Sequence, residues 1–157
     1  MKRTIFLQDE NAVWLKGNLH SHSTNSDGRL TPEEMKDAYK HHGYDFIVVS
    51  DHDRYSDTRH MTDDTFTMVQ GIELYANAPT EKDIHVQLLW DSSFNEFEHL
   101  QYIHLPERTA KATDKFLYEM KDKGVYIMLN HPHWSILNSS EIGEENVFDF
   151  SLGNPNV

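Results

Sequence analysis

Phe46-Ile47-Val48-Val49-Ser50-Asp51-His52 decides the fold class. Four consecutive apolar residues bounded by Asp45 and Ser50 present no polar face to water, as in a strand buried on both sides of a parallel sheet. Immediately before them, residues 32–42 predict a helix. Thr31 can cap it, Glu34 can complete a capping box, Pro32 suits its first position and Gly43 ends it. On the other side, residues 68–74 predict another strand, and Ile84, Val86, Leu88 and Trp90 alternate with His85 and Gln87 at period 2. A second helix is expected over residues 107–123, stopped by Gly124, then a buried-type strand over 125–129. Towards the ends, residues 13–20 predict a strand paired with 5–7, and Phe148, Phe150 and Leu152 suggest a last strand. Strands alternating with helices predict an α/β domain with a largely parallel sheet.

The 157 residues correspond to one domain, with no internal repeat or linker. They fall short of the ~200 at which complete (β/α)8 barrels begin. Lys and Arg number 14 against 26 Asp and Glu, a net charge of −12, which disfavours nucleic acid and anionic membrane surfaces as partners. Without cysteine there is no disulfide, thiolate zinc site or cysteine nucleophile. No apolar run approaches the ~20 residues of a membrane span. The first ten residues break into charge too early for a signal peptide, so a cytoplasmic location is expected. The unusual count is histidine, 11 residues, which with many acidic groups points to nitrogen and oxygen metal ligands.

Three strands run into polar clusters at their carboxyl ends: His20-Ser21-His22, Ser50-Asp51-His52, and Asn130-His131-Pro132-His133. In an α/β barrel the active site forms at those ends, so the clusters are expected to converge. His20 and His22, two apart on a strand, point to one side, as chelation of one ion requires. Glu73 lies in an apolar strand, where a carboxylate must be paired, protonated or metal-bound. Asp27-Gly28 also reads as an ordinary turn, Asp51 as a helix cap, and His85 as a solvent-facing residue of an alternating strand. His52 has no capping part to play. His41 and His42 suit an exposed helix end; His60, His99 and His104 fall in polar loops, and His133 and Trp134 fit either a pocket lining or a surface loop.

The segments Lys16-Gly17-Asn18-Leu19-His20-Ser21-His22-Ser23-Thr24-Asn25-Ser26-Asp27-Gly28, Ser50-Asp51-His52-Asp53, Gly71-Ile72-Glu73 and Asn130-His131-Pro132 together resemble the PHP family, named for its polymerase and histidinol phosphatase members. The resemblance spans residues 16–132. It implies a distorted (β/α)7 barrel with two or three divalent metal ions, zinc, manganese or iron, that hydrolyses phosphate esters of small molecules. By the same resemblance, His20 and His22 bind one metal, Glu73 bridges, His85 and His131 bind the second, and Asp27 and His52 the third. Asp51 would orient a ligand imidazole. Apart from the resemblance, Arg54 or His133 is expected to hold the phosphate. A hydroxide held between the metals would attack phosphorus in line.

The chain departs from the family pattern in one respect. The family completes its site with a late Asp-x-His pair, whereas no histidine follows His133 and Asp149 is the last aspartate. The barrel is therefore expected to be incomplete, with an open sheet edge or with another subunit, as in a homo-oligomer, covering it. A non-catalytic metal-binding remnant of the same fold is the alternative function. An amidohydrolase-type hydrolase also opens with His-x-His, but commonly bridges its metals with a strand lysine, and no lysine lies in the apolar strands after residue 16.

Overall fold

The computed structural model describes residues 12–77 and 83–131. The expected strands at 5–7 and 148–152, and also Pro132, His133, Trp134 and Asp149, lie outside the described residues. Eight elements follow one another: β1 (Gly17–Asn18), α1 (Pro32–His41), β2 (Phe46–Val48), a 3-10 turn (Arg59–Met61), β3 (Thr67–Asn77), β4 (Asp83–Trp90), α2 (Ala110–Asp122) and β5 (Tyr126–Leu129). The strands form one curled sheet, half of a barrel, in the order β1-β2-β3-β4-β5. No helix among the described residues is long and apolar enough to cross a membrane.

Local chemistry explains the helices. Thr31 Oγ1 accepts from the Glu34 amide at 3.2 Å while Glu34 Oε2 accepts from the Thr31 amide at 2.9 Å, a complete capping box. Gly43 follows the helix at φ +71°, a conformation that favours glycine. α2 starts at Ala110 rather than 107 because Thr109 supplies the cap, its hydroxyl accepting from the Ala112 amide at 3.2 Å.

Only half of the expected parallel sheet is parallel. β1, β2 and β3 pair in parallel, but β3 with β4 and β4 with β5 are antiparallel. The physical reason for the first is length. β3 ends at Asn77 and β4 starts at Asp83, a gap of hairpin size, whereas a parallel pair needs a crossover of a dozen or more residues. β1 is shorter than the expected strand over 13–20: its ladder holds only Gly17 and Asn18, and Val13 and Trp14 are 82% and 79% exposed. β5 is not the buried strand its composition suggests. Tyr126 is 76% exposed, and among the described residues β5 pairs along one edge only, with β4.

Two apolar clusters sit on the outer side of the sheet. Met35 of α1 packs with Ile47, Val49, Met61, Phe66 and Met68. Alternate residues of β3 and β4 (Ile72, Leu74, Ala76, Ile84, Val86, Leu88) pack with Phe94, Phe97, Met120 and Val125. Strand alternation then sends Glu73, Tyr75, His85 and Gln87 to the other face. Cross-strand register sets Glu73 opposite Gln87 and Tyr75 opposite His85. The sheet is therefore apolar outside and polar inside.

Candidate metal centre

Glu73, fully buried in the middle of β3, is the hub of this polar face. Its Oε1 lies 3.0 Å from His131 Nε2, 3.1 Å from His85 Nδ1 and 3.5 Å from His20 Nε2. Its Oε2 lies 3.1 Å from His22 Nε2 and 3.2 Å from His52 Nδ1. Asp27 closes the group from the loop side, 3.2 Å from His22 Nδ1 and 3.6 Å from His52 Nε2. Every residue the sequence offers as a metal ligand thus reaches one cluster. His85, which could equally have faced solvent, is buried against Glu73.

The contacts are close, but not all of them are hydrogen bonds. Glu73 Oε2, His22 Nδ1 and His52 Nδ1 are buried atoms without a hydrogen-bond partner, although each has an ion-pair neighbour within 3.2 Å. Distance suits a hydrogen bond there and direction does not, so lone pairs converge on shared space, as a cation requires. Three triads have ligand atoms within 4.8 Å of one another: His20, His22 and Glu73; His22, Asp27 and His52; His52, Glu73 and His85. Because they share members, they form one connected cluster of candidate ligands rather than three separate groups. Imidazole and carboxylate donors suit zinc, manganese or iron. His131 belongs to none of these triads, although its Nε2 touches Glu73.

Electrostatics pull the members of the cluster in different directions. Burial pushes the Glu73 carboxyl up, but His22, His85 and Asn130 together outweigh it and hold the group well below the usual carboxylate range. Contact with Glu73 raises His22 against the opposing effect of burial. Burial lowers His52, with Glu73 opposing.

Among the described residues Asp51 accepts from a serine-rich loop rather than from an imidazole. Its oxygens accept from the Ser23 amide (2.8 Å) and the hydroxyls of Ser23 (2.7 Å), Ser26 (2.8 Å) and Ser56 (2.6 Å). That geometry ties down the loop carrying Asp27 and leaves no acceptor for a histidine. Arg54 Nη1 donates to the Asn25 carbonyl at 3.2 Å, and its guanidinium lies 5.8 Å over the Tyr102 ring. His41, His42, His60, His99 and His104 are exposed, as their loop and helix-end positions predict.

Gly28 is required by close approach. The Gly28 amide donates to the Ser23 carbonyl at 2.8 Å, and a Cβ at Gly28 would stand 2.0 Å from the His22 carbonyl oxygen. Backbone cannot yield to that cheaply. Gly28→Ala is expected to displace both His22 and Asp27 and to weaken metal binding by about 10-fold or more, as disturbed ligand support commonly does. Isothermal titration with Mn2+ checks this, and unchanged affinity would contradict it.

The parts played by several further residues escape sequence reasoning. Asp53, at φ +50°, donates its amide to the Glu73 carbonyl at 2.8 Å and accepts from the Tyr75 amide at 2.8 Å, stitching the end of β2 to β3. Tyr75 places its ring edge-on to His85 (centroids 4.3 Å apart) and tilted over His52 (5.0 Å). Asn130 Nδ2 donates to Glu73 Oε1 at 2.8 Å. The available signal was period 2: Tyr75 and Gln87 each lie two residues from a ligand on the same strand face.

Neither a protein-family model nor a curated protein matches the chain. Among solved structures, it is similar to a two-domain protein from Bacteroides vulgatus described as containing a predicted PHP-like metal-dependent phosphoesterase. The TM-score is 0.56 and the identity 19%, with 88% of this chain and 42% of that one covered. This chain therefore spans less than half the length of that protein, and at such identity the likeness establishes a shared fold.

Proposed function

We propose that residues 1–157 form a single PHP-type domain that hydrolyses phosphate esters of small molecules with two or three divalent metal ions. One observation carries this reading: five imidazoles and Asn130 surround the buried carboxylate of Glu73 on the polar face of the sheet. His20 and His22 would hold one ion, Glu73 would bridge, His85 and His131 would hold a second, and Asp27 with His52 a third. When bound, such ions lend positive charge to phosphoryl oxygens and acidify water. The chain's own residues do the rest. Glu73 keeps the centre compact, Asp51 holds the Asp27 loop in place, and Arg54, two residues beyond His52, offers a guanidinium to the phosphate. Cations also answer the net charge of −12, which would otherwise repel a phosphorylated substrate.

The test is hydrolysis of an aryl phosphate by untagged protein reconstituted with Mn2+, Zn2+ or Fe2+, alongside metal content by mass spectrometry. At least two ions per chain and metal-dependent turnover are expected. Fewer than one ion per chain after reconstitution would overturn the reading. Full loading without turnover would replace it with the non-catalytic remnant.

A further inference from the structure

Gln87 is fully buried on β4, directly opposite Glu73. Its Oε1 lies 2.9 Å from His20 Nδ1 and 3.1 Å from Asn130 Nδ2. Its Nε2 is buried with no hydrogen-bond partner. A leucine would fill similar space without stranding an amide N–H, so packing does not account for glutamine here.

Donors and acceptors can be assigned outward from Glu73, which as a carboxylate only accepts. That fixes Asn130 with its Nδ2 inward, 2.8 Å from Glu73 Oε1. The second Nδ2 hydrogen has Gln87 Oε1 at 3.1 Å and His20 Nδ1 at 3.0 Å within reach; Gln87 with Oε1 inward accepts it, whereas the flipped amide would set two N–H donors against each other. A lone pair on His20 Nδ1 would then face another lone pair at 2.9 Å, so Nδ1 must carry the proton. At Nε2 the competing acceptor, Glu73 Oε1, is farther away at 3.5 Å, so the closer contact at Nδ1 decides, and the other neighbours of Nδ1 do not change this. Asn130 Nδ2, 3.0 Å away, has spent both hydrogens, and the Ser50 hydroxyl, 3.4 Å away, donates to the Ser21 carbonyl.

We infer that Gln87 is a positioning residue: its side-chain carbonyl locks His20 as the Nδ1–H tautomer and turns the Nε2 lone pair towards Glu73. Nε2 is the atom that lies 3.5 Å from Glu73 Oε1 and 3.3 Å from His22 Nε2. The tautomer stands on hydrogen bonds alone; its consequence for metal affinity rests on the proposed centre. Ligand histidines generally need such a partner on their other ring nitrogen.

Long-range 1H–15N NMR of the metal-free protein, at alkaline pH where imidazole is neutral, reads the tautomer directly. Wild type is expected to show a protonated Nδ1 at His20. Gln87→Leu is expected to shift it towards Nε2–H and to weaken Zn2+ binding about 10- to 100-fold. Gln87→Glu, which keeps an acceptor, is expected to restore the wild-type signature. An Nε2–H tautomer in wild type, or an unchanged tautomer in Gln87→Leu, overturns the inference whether or not metal binds. Protein with the expected tautomer that takes up no metal overturns the proposed function alone.

Discussion

Glu73→Ala is expected to reduce metal loading to at most one ion per chain and to cut aryl phosphate hydrolysis by about 10³-fold or more, several kcal/mol of transition-state stabilisation. Two of the three triads contain Glu73, so their loss leaves only His22, Asp27 and His52. The fold should survive. Removing one partner of a buried ion pair is costly when it strands a permanent charge, but the groups left around position 73 are imidazoles, which discharge by losing a proton near neutral pH. The variant thus separates metal binding from folding. Mass spectrometry of reconstituted protein and a thermal melt of the metal-free form provide the two readings. Two ions retained per chain by Glu73→Ala would show that the carboxylate does not bridge.

Four candidate ligands were legible because each rests on short-range chemistry, whereas Asp27 and His85 entered through the family resemblance. His20 and His22 share a strand side by their spacing. His52 follows an apolar strand with no capping duty, and Glu73 is a carboxylate placed where burial demands a counter-charge. Capping by Thr31 and Glu34, and termination at Gly43, are likewise local. What stayed hidden depends on pairing between distant segments. Strand direction is not encoded in alternation: Ile84 to Trp90 reads identically in a parallel or antiparallel ladder, and only the short step from Asn77 to Asp83 hints at a hairpin. The exposure of β5 is similar, since Tyr126 to Leu129 has the composition of a central strand and lies at an edge of the described sheet. Gln87 carries no signal in sequence, and Asn130 stands out only as part of the cluster with His131, because neutral amides signal nothing alone; their importance arises when register sets Gln87 against Glu73. Asp51 is the opposite case. The family resemblance assigned it to an imidazole, while four donors from Ser23, Ser26 and Ser56, invisible as a group in sequence, claim its oxygens.

Those four donors make Asp51→Ala the second large effect. A fully buried carboxylate with no lysine or arginine partner among the described residues is tolerable only if hydrogen bonds replace its hydration. Here one amide and three hydroxyls do so, and hydrogen bonds to a charged acceptor are the stronger kind. Alanine would strand the Ser23 amide, which cannot rotate away, and leave the three hydroxyls to find weaker partners. The expected loss is about 3 kcal/mol, below the sum of the separate bonds because the hydroxyls reorient. For a domain of this size it lowers the melting temperature by roughly 6–12 °C. The loop from Ser23 to Gly28 would loosen with it, since Gly28 and Ser26 both donate to the Ser23 carbonyl. Asp27 sits on that loop, so the triad of His22, Asp27 and His52 should lose affinity while that of His52, Glu73 and His85 keeps it. Asp51→Asn, with one accepting oxygen left, should fall between. Calorimetry and metal stoichiometry on the same samples distinguish a structural anchor from a direct ligand partner. An Asp51→Ala protein that melts like wild type but loses the His52, Glu73 and His85 ion would return Asp51 to the metal centre.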